Sequence, residues 1–240
     1  MKSINELLLK IKNKKLLVIF PHPDDESIAA GGLILSAKRL GYEVTLLTLT
    51  KGGAGRINTN LKGRSLKEIR SVELEKASKI LGIDNLIIKD FDDGKLKTRN
   101  GWNETVKENL LRIKPAVVVT YDPTGISGHP DHINLSVGVK RIINELLIAR
   151  KTILFWVTLD GQSKNLVTSS VRRYLANANY ELTMAYSIIL SKLKAMFCHK
   201  SQRYDKLSEI ILRMIITRKE WYHKVDMKKD YPYKYINFNI

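Results

Sequence analysis

Two short stretches of this chain carry residue types that can hold a divalent metal and move protons beside it. They are Pro21-His22-Pro23-Asp24-Asp25-Glu26 and His129-Pro130-Asp131-His132, roughly a hundred residues apart, and they contain three of the five histidines. Imidazole nitrogen and carboxylate oxygen both bind Zn2+, and a catalytic zinc keeps three protein ligands and one open position. His22 and Asp25 are three residues apart in a turn around Pro23, so both side chains can aim at one point. His132 would supply the third ligand. Two histidines and one carboxylate also suit Fe2+. The absence of thiolate ligands argues against a structural zinc site. Asp24 is then left as a general base and His129 as a general acid. Asp131 is expected to orient His129 and stabilise its charge. Glu26 has a plainer reading, an acidic residue in the first turn of a helix.

The surrounding elements must bring the two stretches together. Leu16-Leu17-Val18-Ile19-Phe20 is a continuous apolar run, as in a buried parallel strand, and the first motif follows it at once. Further strands are expected at Val44–Thr50, Asn85–Lys89, Ala116–Tyr121 and Thr152–Val157. Helices are expected at 27–40, 65–81, 102–113 and from about Asp131, as N-cap, to Ala149. This alternation predicts an α/β fold of Rossmann-like, doubly wound type, with a mostly parallel sheet and a C-terminal extension. In the order 3-2-1-4-5, the strands ending in the two motifs are neighbours at the switch point, where ligands bind. Lys51-Gly52-Gly53-Ala54-Gly55-Arg56 lacks the P-loop pattern and reads as a loop facing the site.

Beyond residue 160 the pattern weakens. Tyr180 to Leu190 fits a strand or the start of a helix. Lys192 to Arg203 and Asp205 to Glu220 read as helices. The segment from Trp221 is aromatic and basic, with Trp221, Tyr222, Tyr231, Tyr233, Tyr235 and Phe238, and is expected to pack on its own domain or a partner subunit. No linker marks a second domain, so one domain over 1–240 is expected, with its core at about 14–204.

Composition bounds the function. At 240 residues and 44% apolar content the chain can bury a sizeable core. The lone cysteine, Cys198, excludes an intramolecular disulfide. The first fifteen residues fit a short amphipathic helix rather than a signal peptide, and no apolar run is long enough for a membrane span. A soluble, cytoplasmic protein is the expectation. The net charge of +17 is spread along the chain without a long basic block. It allows peripheral attraction to an anionic membrane but names no specific nucleic-acid partner. A homo-oligomer is compatible with the sequence.

The motifs also resemble a known family. Pro21 to Glu26 resembles the first signature of the LmbE-like, or PIG-L, deacetylases, and Gly128-His129-Pro130-Asp131-His132 resembles the second. Arg70, Glu73, Ala77 and Leu81-Gly82 look like the family's helix after strand 2. Asp92-Asp93-Gly94 looks like its acidic loop, and Lys194, Ala195 and His199-Lys200-Ser201-Gln202 look like its C-terminal segment. The resemblance covers roughly residues 14–204. It implies zinc on His22, Asp25 and His132, with Asp24 as the base. It implies that His129 assists as acid or oxyanion stabiliser, helped by Asp131, and that Arg70 with Asp92 or Asp93 contacts the sugar. The implied reaction removes acetyl from N-acetylglucosamine joined to inositol, phosphatidylinositol, an acid or another sugar. Some members carry a catalytic tyrosine two residues before the first histidine of the second motif. Here that residue is Ser127, so zinc and His129 would serve the oxyanion, and the stretch looks closer to the phosphatidylinositol-sugar type.

Two other function classes fit the sequence less well. A dinucleotide enzyme on the same frame needs Gly-x-Gly-x-x-Gly after strand 1, which is missing. A non-catalytic basic module binding anionic lipid or nucleic acid explains the charge but leaves both motifs without a purpose.

Overall fold

The computed structural model describes residues 1–58, 60, 63–98, 101–146, 151–162, 167–202 and 207–229. Its strands are β1 (Lys2–Ser3), β2 (Lys15–Phe20), β3 (Glu43–Thr50), β4 (Asn85–Phe91), β5 (Val117–Tyr121), β6 (Ile153–Thr158), β7 (Tyr180–Thr183) and β8 (Lys219–Lys224). Its helices are α1 (Ile4–Lys10), α2 (Asp25–Arg39), α3 (Leu66–Leu81), α4 (Trp102–Ile113), α5 (Pro130–Glu145), α6 (Ser169–Arg172), α7 (Tyr186–Met196) and α8 (Leu207–Thr217).

The strands form one sheet in the order β1-β7-β8-β6-β5-β2-β3-β4. From β4 to β6 every pairing is parallel, in the 3-2-1-4-5 arrangement expected from sequence. β2 and β5 are direct neighbours with Val18 opposite Val119, so the segments after Phe20 and Tyr121 emerge side by side. Both strands are wholly or almost wholly buried, which explains the apolar runs Leu16 to Phe20 and Val117 to Val119. One core packs α2, α3 and α7 on one face, and another packs α4 and α5 on the other.

The C-terminal segment departs from the expected pattern. The helix expected to run to Glu220 stops at Thr217. Arg218 takes φ +52°, and the chain turns into β8, antiparallel to both β6 and β7. Trp221 and Tyr222 are therefore buried sheet residues. Tyr231, Tyr233, Tyr235 and Phe238 lie outside the described residues. Glu220 ties β8 to the rest of the fold. Its carboxylate accepts from Gly32 N–H at 2.7 Å, Leu33 N–H at 2.9 Å, Lys192 Nζ at 2.6 Å and Tyr222 OH at 2.6 Å. Four donors for one buried carboxylate satisfy it fully. A Cβ at Gly32 would collide with Met184 and with this carboxylate, so the close approach needs glycine.

The start of α5 also differs. His129, not Asp131, is the N-cap, and Pro130 takes the first helical position. Proline suits that place because its missing N–H costs no hydrogen bond there. His129 Nδ1 accepts the Asp131 N–H at 3.2 Å, which leaves the Asp131 carboxylate free to turn inward.

Candidate metal centre

The turn after β2 folds His22 and Asp25 onto each other. The His22 backbone N–H donates to Asp25 Oδ2 at 3.0 Å, and Asp24 between them takes φ +105°, a strained value for a residue with a side chain. His132 arrives from the first turn of α5. His22 Nδ1 and His132 Nε2 are 3.2 Å apart. Asp25 Oδ2 is 3.5 Å from His22 Nδ1, and Asp25 Oδ1 is 3.5 Å from His132 Nε2. Ligands about 2 Å from a tetrahedral ion stand roughly 3.3 Å from one another. The donor set therefore fits one small divalent ion.

The outer nitrogens of both rings fix the inner ones. His132 Nδ1 lies 3.0 Å from the carbonyl of Gly125 and donates to it. Gly125 has φ +62°, and a Cβ there would run into His132. His22 Nε2 lies 3.0 Å from Asp93 Oδ1 and 3.2 Å from Asp131 Oδ2. Each ring so turns an unprotonated nitrogen toward the other, and two facing lone pairs require a cation or a proton between them. Without metal the proton goes to His22. Burial opposes that charge, but the carboxylates of Asp131, Asp25 and Asp93 hold its pKa well above the usual imidazole range. Burial, aided by the His22 charge and against the pull of Asp25, lowers His132 to about 4. Burial alone would raise Asp25, but His132, His22 and the Tyr121 hydroxyl hold it far below the usual carboxylate range.

Asp131 was expected to orient His129 through its carboxylate. That carboxylate faces His22 instead and also accepts from Gly94 N–H at 2.7 Å and Leu96 N–H at 3.0 Å. Asp131 reaches His129 only through its backbone N–H, which leaves His129 Nε2 as the protonated nitrogen. Asp93, expected at the sugar, caps His22 and accepts from Ala54 N–H at 2.9 Å. Burial opposes its ionisation, yet His22 and the Ala54 N–H lower it to about 2.

His22, His129 and His132 form one further group close enough to hold an ion, and His22, Asp93 and Asp131 form another. Their carboxylates are already engaged by backbone donors, and neither Asp93 nor Asp131 lines the adjoining cavity. A catalytic ion needs an open face, so His22, Asp25 and His132 fit better.

Asp24 points beside this set. Arg70 donates to Asp24 Oδ2 at 3.1 Å, to the Gly52 carbonyl at 3.0 Å and to the Pro23 carbonyl. Burial raises the Asp24 carboxyl to about 7, with Asp25 and Glu26 adding to the rise and Arg70 and His199 opposing it. Glu26 does more than serve a helix end. Its Oε2 accepts the Asp24 N–H at 3.0 Å, and its Oε1 meets Ser27 Oγ at 2.6 Å and His199 Nε2 at 2.9 Å. Next to it, Ser201 donates twice to Glu73, at 2.8 and 2.6 Å. The segment after α7 is thus clamped to α2 and α3.

A family model described as "PIG-L: GlcNAc-PI de-N-acetylase" matches residues 17–143, just over half of the chain and both histidine motifs. This chain belongs to the PIG-L family. It is 34% identical over 128 residues to "Probable N-acetyl-alpha-D-glucosaminyl L-malate deacetylase 2" of Bacillus anthracis, covering 51% of this chain and 56% of that protein. It is 33% identical over 120 residues to "Diacetylchitobiose deacetylase" of Thermococcus kodakarensis, covering 50% of this chain and 45% of that one. The chain spans about half the length of these curated relatives. In fold it is similar to the N,N'-diacetylchitobiose deacetylase from Pyrococcus horikoshii, with a TM-score of 0.71, 22% identity and coverage of 94% and 91% of the two chains.

In this PIG-L member the donor set opens onto a cavity of about 580 Å³. His22, Asp24, Asp25, Arg70 and His132 line its polar end, and residues such as Ile126, Val157, Met214 and Trp221 line the rest. Ser127 also lines it. Its hydroxyl accepts the His129 N–H at 3.3 Å and sits 3.4 Å from His132 Nδ1. His129 packs edge-on against His22, with ring centroids 4.8 Å apart. Asp92 is half-buried and does not line the cavity.

The sequence marks Tyr121 only as the end of a strand. Its hydroxyl donates to Asp25 Oδ1 at 2.7 Å, and its ring stacks on His132 with centroids 4.3 Å apart. The available signal was a tyrosine closing a valine-rich strand just before the second motif.

Proposed function

We propose that this chain is a zinc-dependent hydrolase that removes the N-acetyl group from an N-acetylglucosamine-type conjugate and releases acetate. The observation that carries this reading is the convergence of His22 Nδ1, His132 Nε2 and the Asp25 carboxylate at the polar end of a cavity. The curated relatives, two of which bear deacetylase names for N-acetylated amino sugars, support the choice of bond.

Bound there, zinc supplies Lewis-acid chemistry that polarises a carbonyl oxygen and acidifies water. Asp24, held by Arg70 and poised near neutrality, takes the proton of the attacking water. His129 Nε2–H donates toward the oxygen that gains negative charge. Asp24 then returns its proton to the leaving amine, so water and amide become acetate and amine. Asp93 and Asp131 hold the His22 ring, and Tyr121 holds Asp25. Ser127 offers no phenol, so no tyrosine acts at that place.

The test is acetate release from a panel of N-acetylglucosamine conjugates by the zinc-loaded and the Fe2+-loaded chain, with and without chelator. Release that stops with chelator and returns with zinc is expected. A panel that yields no acetate from metal-loaded, folded protein sinks the proposal.

A further inference from the structure

The exposed apolar side chains of this protein are concentrated, not scattered. Of eleven exposed large hydrophobic residues among the described ones, six belong to the α7–α8 hairpin: Tyr186, Leu190, Phe197, Leu212, Ile215 and Ile216. Single exposed apolar residues are ordinary, whereas a contiguous group marks an interaction surface.

Helical spacing gathers them into stripes. On α7, Tyr186, Leu190, Lys194 and Phe197 recur every three or four residues, while Ile188, Ile189 and Ala195 face the core. On α8, Leu212, Ile215 and Ile216 share one side. Ile210, Arg213, Met214 and Thr217 occupy the opposite side and line the cavity. The Arg218 guanidinium sits 5.0 Å over the Tyr186 ring and joins the end of α8 to the start of α7.

Charge selects the partner. The charges beside these stripes are Lys194, Lys200 and Arg218 against Glu209, because Lys192 is buried on Glu220 and Arg213 faces the cavity, within a chain of net charge +17. Lys194 and Lys200 are exposed next to Phe197. A second copy docking through the same face would set these cations against their counterparts. An anionic surface attracts them, and lysine stems can lie along apolar surface while their ammonium groups stay in water. We propose that the α7–α8 hairpin is a docking face for an anionic lipid surface, with both helices lying in the interface. No helix among the described residues is long and apolar enough to cross a membrane, which leaves an interfacial mode. This surface stands independently of the hydrolase reading.

The experiment is flotation of the full chain with vesicles of phosphatidylcholine, alone or mixed with phosphatidylglycerol, at low and high salt. The chain is expected to float with the anionic vesicles and to be released by salt. Leu212→Glu with Ile216→Glu is expected to cut binding at least about tenfold without moving the unfolding midpoint. Lys194→Gln and Lys200→Gln, which keep the apolar stripe, should each weaken it about fivefold. Absence of flotation, equal binding to neutral vesicles, or variants that bind like the parent overturns the proposal. A concentration-dependent dimer that the glutamate pair abolishes, seen without flotation, assigns the face to a second copy and overturns it as well.

Discussion

His22 Nδ1 and His132 Nε2 face one another at 3.2 Å, each with its other nitrogen committed to an outer partner. Only a proton or a metal ion reconciles that pair. His22 holds the proton in the metal-free chain at neutral pH, because its three carboxylate neighbours outweigh its burial. Zinc binding is therefore expected to release about one proton. Calorimetric titration with zinc in buffers of different ionisation enthalpy reads this number directly. Heats that do not vary with the buffer would show that no proton is exchanged.

Tyr121→Phe removes the 2.7 Å hydrogen bond to Asp25 and leaves the ring stacked on His132. Loss of a partner that orients a ligand typically costs about 10- to 100-fold in metal affinity or activity. A weaker zinc affinity with an unchanged fold is expected from competition with a chromogenic chelator. An unchanged affinity would reduce Tyr121 to packing.

The acid limb of the rate should report Asp24. A general base must be ionised, so activity is present above its pKa and is lost as pH falls through it. The metal-free carboxyl lies at about 7, raised by burial and by the Asp25 and Glu26 charges. A bound divalent cation moves the limb below that value. Arg70 opposes the rise, so Arg70→Gln is expected to shift the limb of kcat against pH upward. A limb that stays in place would separate Arg70 from the base.

His199 and Lys194 should behave differently. His199 is a buried partner of Glu26, whereas Lys194 is exposed on α7. Breaking a buried pair costs about 3–5 kcal/mol, and an exposed change usually stays within about 0.5 kcal/mol. His199→Ala is therefore expected to lower stability in urea unfolding and Lys194→Ala to leave it alone. Burial would lower the His199 pKa, but Glu26 raises it above the ordinary value. The pair's full contribution is present below about 6.5 and is lost as pH rises through the raised folded pKa. A His199→Ala variant as stable as the parent would show that Glu26 needs no histidine.

Much of this was legible in the sequence because buried parallel strands announce themselves. Leu16 to Phe20 and Val117 to Tyr121 had no solvent side to encode, so the first is apolar throughout and the second is broken only by the buried Thr120, and their adjacency followed from strand order. That adjacency carried the expectation that His22, Asp25 and His132 converge. β8 was hidden because Lys219 to Lys224 is mixed in polarity and Glu220 is buried against the amides of α2. The turn at Arg218 has no glycine to mark it. The direction of the Asp131 carboxylate was hidden by a two-residue shift in the cap, from Asp131 to His129, which Pro130 imposes on α5. Tyr121 and Asp93 escaped as partners of the ligands because their contacts join residues 96 and 71 positions apart in sequence.

The division of labour between ligands and base is tested most directly by measuring zinc content and acetate release on one preparation of Asp24→Ala. The three remaining donors should retain about one ion per chain while acetate release is lost. Loss of the ion together with the carboxylate, or continued release of acetate, would contradict that division.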